Sequence, residues 1–235
     1  MSLEQRDLFI KNIFSTVAPY VDFLSSSFSL GFDNLWRRKA VLLSGVQKGD
    51  RVLDVCTGTG KLAILLARKV GSGGTVTGID FCEEMLNRAR KKTNSHHSNL
   101  SYVISDAKRL PFSDNSFDAV TVAFGMRNIP DTIPALQELK RVLKPRGKFI
   151  CLELTKPQVR WFQLLYEWYV FRIMPAVAEI VIKTAAPYLY LPRSINAFYT
   201  PDEFRRVISE CGFSRVSIDS LTMGVATIYR AVKNG

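Results

Sequence analysis

Cysteine and histidine are scarce in this chain of 235 residues, and neither is spaced to hold a metal. The four cysteines, Cys56, Cys82, Cys151 and Cys211, contain no C-x-x-C pair, and the two histidines, His96 and His97, sit together in a polar stretch far from them. No zinc pattern is present, so reduced thiols in a reducing compartment and no bound metal are expected. Long apolar runs are missing too. No stretch of about 18 uncharged apolar residues exists, which argues against a membrane-spanning helix. Met1 to Gln5 carry no apolar core and no cleavage signature, so a signal peptide is not expected and a cytosolic setting is. Low-complexity tracts and internal repeats are absent. Acidic residues are in deficit: 21 Asp and Glu stand against 32 Lys and Arg, a net charge of +11. Such a balance draws a protein to polyanions, either nucleic acid or an anionic membrane surface, or else simply dresses a solvated face. The basic clusters, Arg37-Arg38-Lys39, Arg88 to Lys92 and Lys140 to Lys148, have no interleaved aromatics of the kind that bind single strands.

What is present is a globular composition, 47% hydrophobic and 23% charged, in a length suited to one domain. Residues 5 to 45 repeat apolar side chains at helical spacing (Leu8, Phe9, Ile13, Phe14; then Leu35, Trp36, Ala40, Leu43). From Arg51 the pattern alternates. Strands are predicted at Arg51 to Cys56, Thr75 to Asp80, Leu100 to Ser105, Asp118 to Phe124 and Lys148 to Leu154. Helices are predicted at Lys61 to Val70, Cys82 to Lys92 and Ile133 to Leu143, the last stopped by Pro145 and Gly147. Alternation of this kind predicts an α/β fold, a mostly parallel sheet with helices on both faces. Residues 157 to 198 interrupt it with an aromatic-rich insert, read as a helical cap with an oily inner face. A final helix, Pro201 to Cys211, and two strands near Ser214 to Asp219 and Val225 to Val232 are expected to complete the sheet edge as an antiparallel hairpin. The expected organisation is one domain: an N-terminal helical segment 1–48, a core 49–156, the cap 157–198 and the closing unit 199–235.

The chemistry concentrates at Asp54-Val55-Cys56-Thr57-Gly58-Thr59-Gly60, a strand running into a glycine-rich turn. Glycine lets backbone approach a ligand closely. Asp80, at the tip of the next strand, is placed to accept hydrogen bonds from both ribose hydroxyls. The spacing of Gly58, Gly60 and Ala63 would also pass for a dinucleotide site. Three features argue otherwise. Asp54 inside the strand would repel a pyrophosphate but suits a cation. Asp106 ends the third strand, within reach of an adenine amino group. The segment Leu110 to Asp118 then leads into the fourth strand. Carboxylates at successive strand tips favour S-adenosylmethionine, which carries an ammonium and a sulfonium and no phosphate.

These residues, with others along nearly the whole chain, resemble the ubiquinone/menaquinone biosynthesis C-methyltransferases, a branch of the class I methyltransferases. The resemblance rests on Ser29-Leu30-Gly31 with Trp36-Arg37-Arg38, Val52-Leu53-Asp54-Val55 with Gly58-Thr59-Gly60, and Thr77-Gly78-Ile79-Asp80-Phe81 with Glu84-Met85-Leu86. It continues through Leu110-Pro111-Phe112 with Ser116-Phe117-Asp118. Its narrowest signals are Ala123-Phe124-Gly125-Met126-Arg127-Asn128-Ile129-Pro130 and the later Tyr190-Leu191-Pro192-x-Ser194-Ile195. It implies a Rossmann-like, seven-stranded sheet with an antiparallel strand at the C-terminal edge. It implies that Thr59, Asp80, Asp106 and Ala107 bind the cofactor and puts Arg127 and Asn128 at the methyl-transfer site. With the glycine turn and strand tips, the expected S-adenosylmethionine pocket is Asp54, Gly58, Thr59, Gly60, Asp80, Phe81, Asp106 and Ala107. The chain departs from the family at Val21-Asp22-Phe23, where a tyrosine is usual, at Lys61, where the family has Asp, and at Arg146 in the Lys144-Pro145-Arg146-Gly147 turn. Ala123 stands where some ubiquinone-type members have a serine, which tilts the reading towards menaquinone.

The implied reaction is C-methylation of a polyprenylated quinol, demethylmenaquinol or a 2-methoxy-6-polyprenyl-benzoquinol, with an RNA or other small-molecule methyltransferase as a rival. No Asn/Asp-Pro-Pro-Tyr tetrapeptide and no appended RNA-binding domain support the RNA reading, so no nucleic-acid partner is expected. A guanidinium is a poor proton acceptor, so Arg127 is assigned to electrostatic stabilisation of the developing phenolate and Asn128 to orienting a hydroxyl or water. The alternative for Arg127 is an ion pair with a neighbouring carboxylate. Water or an acidic residue is left as the proton acceptor. In the cap, Trp161, Phe162, Tyr166, Trp168 and Phe171 are expected to line a greasy tunnel for the tail, with Tyr190 nearby. Trp161, Tyr166 and Tyr190 are taken as substrate contacts. The positive charge is expected to dock the protein peripherally on an anionic leaflet at the inner face of the membrane. A homodimer is left open.

Overall fold

A computed structural model describes residues 3–93, 97–157, 159–176, 179 and 186–235, and the side chains of these except 3, 4, 7 and 186–189. His96 and the Tyr188 side chain lie outside it. Three N-terminal helices, α1 (Leu3–Val17), α2 (Val21–Phe28) and α3 (Phe32–Leu43), precede the core. The core runs β1 (Arg51–Val55), α4 (Lys61–Val70), β2 (Thr75–Asp80), α5 (Glu83–Thr93), β3 (Leu100–Ile104), β4 (Phe117–Ala123), α6 (Thr132–Val142) and β5 (Leu143–Leu154). The cap follows as α7 (Arg160–Trp168), which widens into a π-helical turn, Tyr169–Ile173, and then α8 (Ala186–Ala197). α9 (Pro201–Glu210), β6 (Phe213–Leu221) and β7 (Ala226–Lys233) close the fold.

The seven strands lie in the order β3-β2-β1-β4-β5-β7-β6. β1 to β5 are parallel, and β7 runs antiparallel to both of its neighbours. The antiparallel strand is therefore one in from the edge, with β6 outermost, because the β6–β7 hairpin folds back between β5 and its own first strand. Alternating apolar side chains drive the layering. On one face Leu62, Ala63, Leu66 and Val70 of α4 pack against Val52, Val76 and Ala119. On the other, Leu136 and Leu139 of α6 and Phe204 and Ile208 of α9 pack against Leu53, Val120, Phe149 and Tyr229. Asp131 caps α6 by accepting from the Ile133 amide, and Thr200 and Glu203 form a reciprocal capping box on α9.

The boundary between α6 and β5 differs from the sequence reading. α6 ends at Val142, and Leu143 already belongs to β5, paired with Phe117. Pro145 and Gly147 do not stop a helix. They lie in an irregularity within the strand, where the register slips before Ala119 pairs with Lys148. Arg146 takes a left-handed conformation there, φ 62°. Pro lacks the amide a regular ladder would use, so the chain bulges and resumes pairing.

Strand order reverses between β1 and β4, which leaves a crevice at their carboxyl ends. The N-terminal helices and the cap close over that end.

Candidate active site

A cavity of about 380 Å³ opens above the carboxyl ends of β1, β2 and β4. Its floor is the glycine turn. Gly58 and Gly60 have φ of 56° and 79°, a region that side chains rarely adopt. At Gly60 a Cβ would also collide with the Tyr102 hydroxyl. Asp54 is buried beside this turn, where its carboxylate accepts from Thr57 Oγ1 and Thr121 Oγ1, both at 2.6 Å. Burial pushes its carboxyl up to about 6, even though the two hydroxyls pull it down. Asp80 ends β2, and its oxygens accept from the amides of Gly58 at 2.8 Å and Cys82 at 3.0 Å. Burial raises it too, to about 6. Each Asp80 oxygen keeps a further lone pair, so the carboxylate can still take two hydroxyl donors. Phe81 lines the cavity and meets Phe14 of α1 edge-on, with centroids 6.4 Å apart.

Asp106 and Ala107 also line the cavity, but Asp106 is exposed, not enclosed like the other two carboxylates. It accepts from the Lys108 amide at 2.8 Å and lies 3.7 Å from that lysine's ammonium. The strand ends at Ile104, one residue before its predicted end and two before Asp106, so Asp106 sits on the loop at the rim.

A charged network pins α2 and α3 over the glycine turn. Thr59 Oγ1 donates to Asp22 at 2.6 Å, and Lys92 of α5 pairs with the same carboxylate. Lys61 reaches Asp33 at 3.1 Å, Ser26 Oγ at 3.1 Å and Asp22 at 3.9 Å. Burial raises the Asp22 and Asp33 carboxyls. The cations around each, Lys92 and Lys61 for Asp22 and Arg37 and Lys61 for Asp33, outweigh it and hold both below the usual range. Lys61 thus exchanges the usual acid after the glycines for a cation, and α2 and α3 supply the acids. Arg37, read in sequence as part of a basic surface run, is instead largely buried, paired with Asp33 at 2.5 Å and lying 4.9 Å above the Phe124 ring.

The far wall is the Phe124 to Asn128 run. Gly125 packs so tightly on β1 that a Cβ would strike Cys56, and Phe124 takes a left-handed φ of 62°. This pinch turns the chain into the short 3-10 helix Met126–Asn128 and aims Arg127 and Asn128 towards the cap. The Arg127 guanidinium donates from Nη1 to Glu153 Oε1 at 2.5 Å and to the Phe124 carbonyl at 2.7 Å, and from Nε to Ser194 Oγ at 3.3 Å. Its amide donates to Glu153 Oε2 at 3.1 Å. Of the two readings left open for Arg127, the ion pair is present, and the Nη2 group stays outside these bonds. Glu153, fully buried at the tip of β5, was missed. Its signal was a lone carboxylate in the apolar run Ile150-Cys151-Leu152-Glu153-Leu154. Asn128 donates to the Phe124 carbonyl at 3.2 Å and accepts from the Tyr190 hydroxyl at 3.0 Å. Tyr166 lines the same wall, and burial pushes its phenol up to about 12.

The structure corrects the cap reading. Tyr166 and Tyr190 line the cavity, joined by Tyr169, Val170 and Met174. Trp161 does not. It is exposed at 63% on the outer side of α7, where Trp168 is exposed too; Phe171 is exposed in the π-helical turn beyond, and Phe162 packs edge-on against Trp161 outside the cavity. Composition counted the aromatics but not which way the helix turns them.

This constellation is a nucleoside-sized floor with buried carboxylates, joined to an aromatic roof. The sequence model of the ubiE/COQ5 methyltransferase family matches residues 1–233. The chain belongs to that family. It is 40% identical over 224 residues to the demethylmenaquinone methyltransferase of Staphylococcus aureus strain JH9, an alignment covering 95% of this chain and 92% of that protein. The same figures hold for strain Newman. Among solved structures, a SAM-dependent methyltransferase from Aquifex aeolicus superposes with a TM-score of 0.63 at 25% identity, over 83% of this chain and 88% of that one. A phosphoethanolamine N-methyltransferase 2 from Haemonchus contortus, in complex with S-adenosyl-L-methionine, gives 0.63 at 17% identity over 85% and 52%, a likeness of fold alone.

The family fixes S-adenosylmethionine as the cofactor and methyl transfer as the reaction class. The residues present fit it. Two buried carboxylates with raised affinity for a proton face the cavity, Lys61 beside the glycine turn is already paired with Asp33 and Asp22, and a cationic ligand would hold the two carboxylates ionised.

Proposed function

We propose that this methyltransferase transfers a methyl group to a ring carbon of demethylmenaquinol, the reduced form of demethylmenaquinone, in menaquinone biosynthesis. The observation that carries the reading is Arg127, a cation fixed where the carboxylate-lined floor meets the aromatic roof. Likeness at 40% to proteins of that named activity supports it.

When bound, S-adenosylmethionine supplies an electrophilic methyl group. Asp54, Gly58, Thr59, Gly60, Asp80, Phe81, Asp106 and Ala107 would hold it. A quinone ring is electron-poor and does not attack, whereas a hydroquinone does, and far better as its phenolate. Arg127 stabilises that phenolate through Nη2, since its other donors are spent on Glu153, Phe124 and Ser194. Glu153 keeps the guanidinium in place, its oxygens accepting from Arg127 and the Leu154 amide. The proton leaves to water. Asn128, steadied by Tyr190, orients a ring hydroxyl. Tyr166 stays neutral at physiological pH and can donate to a ring oxygen. Positioning of ring against methyl then supplies much of the rate. The insoluble polyprenyl tail requires a peripheral encounter with a membrane, which a net charge of +11 favours on an anionic leaflet.

The test is methyl transfer from labelled cofactor to reduced demethylmenaquinone, to the methoxy-polyprenyl-benzoquinol and to total RNA, side by side. Label in the first alone is expected. Label in RNA, or in the benzoquinol alone, would overturn the assignment.

A further inference from the structure

Helix α7 has two apolar faces, and only one has work to do inside the protein. Its inner face, continued by the π-helical turn, brings Tyr166, Tyr169 and Val170 to the cavity. Its outer face carries Trp161, Leu164, Leu165 and Trp168, spaced i, i+3, i+4, i+7, which are 63%, 64%, 54% and 57% exposed, and Phe171 extends the stripe. A stripe at that spacing normally faces a core, yet here it faces outward. The rim is basic. Arg160 and Arg172 are exposed at either end, and Lys156 lies exposed just before the helix. The one acid within α7, Glu167, is half-buried and accepts from the Gln163 amide. The end of α2 meets the inner side, where the Tyr169 hydroxyl donates to the Phe28 carbonyl at 3.2 Å, and so leaves the outer stripe uncovered.

We infer that the outer face of α7 inserts into the interface of an anionic bilayer, so that the helix is at once the membrane contact and a wall of the active-site cavity. A helix with Trp and Leu on one side and arginines at its margins lies in the headgroup region with its apolar side down, and tryptophan favours that depth. A second copy of the chain is a poorer occupant. A two-fold contact through this face would bring Arg160 and Arg172 of two molecules together, each molecule carrying a net charge of +11. The inference deepens the quinol reading and rests on it for the reason a bilayer is the partner: an apolar tail resting in lipid reaches the cavity past a helix that touches both.

The natural probes are the tryptophans. Trp36 is buried, so Trp161 and Trp168 dominate any change in emission. The protein is titrated with vesicles of phosphatidylcholine alone and of phosphatidylcholine with phosphatidylglycerol. The expected result is a blue shift with the anionic vesicles, quenching by brominated acyl chains and weakening with salt. Leu164→Glu with Leu165→Glu, both exposed and thus tolerated by the fold, should lower partitioning about tenfold or more. The same variant should leave methylation of a short-tailed soluble quinol unchanged. Unmoved tryptophan emission, or partitioning indifferent to the double variant, would overturn the inference. So would a dimer that shields both tryptophans without lipid and falls apart in the variant. Because the fluorescence assay contains no quinol, failure of the quinol assignment shows in the methylation assay and failure of this surface in the vesicle titration.

Discussion

The floor and the cap of this active site are both apolar-rich, yet their side chains are fixed by different rules. In the floor, strand geometry leaves little freedom. Asp54 lies beside Thr121 and Gly78 in register, and Asp80 closes its strand at the same end of the sheet. In the cap, α7 is apolar on opposite sides, so its composition does not say which side is inside. A period of two with one buried end assigns a direction to every residue. A helix with two apolar faces needs its neighbours to choose.

Substitutions should separate the two regions clearly. The largest effect is expected at Glu153→Ala. It strands the Arg127 guanidinium, 8% exposed, without its partner, and should cost about 3–5 kcal/mol in chemical denaturation. A cost below about 1 kcal/mol would mean the pair is not enclosed as described. Asp80→Ala comes next. Losing a carboxylate placed for two ribose hydroxyls should weaken S-adenosylmethionine binding about a hundredfold or more by calorimetry. Unchanged affinity would sink the assigned pocket.

A smaller effect is expected from pH. Asp54 and Asp80 are both raised to about 6, so a proton on either must leave before a cation is held well. For raised carboxyls the ionised form is disfavoured in the free protein and restored by the cationic ligand. Affinity should therefore fall as pH drops below about 6, by about tenfold per unit for each carboxylate that titrates. S-adenosylhomocysteine, which lacks the sulfonium charge, should show a shallower slope. Equal slopes would remove the electrostatic argument for the floor. The smallest effect should come from the cap's outer face. Trp161→Ala should change stability by less than about 0.5 kcal/mol, whereas a buried tryptophan would cost about 3–5. A large loss would return Trp161 to the core and break the contrast between the regions.

The same contrast explains what was legible in the sequence. Lys61 to Val70 and Thr75 to Asp80 form as read, because one-sided burial imposes a single period on each. The Pro145 bulge was misread as a helix stop, since only the pairing partner Phe117 shows that the strand has already begun. Glu153 was passed over because one acid in an apolar strand has no local meaning until Arg127 is folded against it. Lys61 was seen as a departure, but its partners, Asp22 and Asp33, are 39 and 28 residues earlier in the chain and become neighbours only when α2 and α3 close over the turn. Direction on a strand is local information. Direction on a two-faced helix, and the partner of a buried charge, are tertiary.

The central claim is a division of labour: the floor holds the cofactor, and Arg127 at the junction with the cap serves the reaction. Arg127→Ala tests it most directly, with S-adenosylmethionine affinity measured by calorimetry and single-turnover methylation of demethylmenaquinol measured on the same preparation. Turnover should fall by about a hundredfold or more while cofactor affinity changes by less than threefold. An equal fall in both, or a fall in neither, would contradict the account.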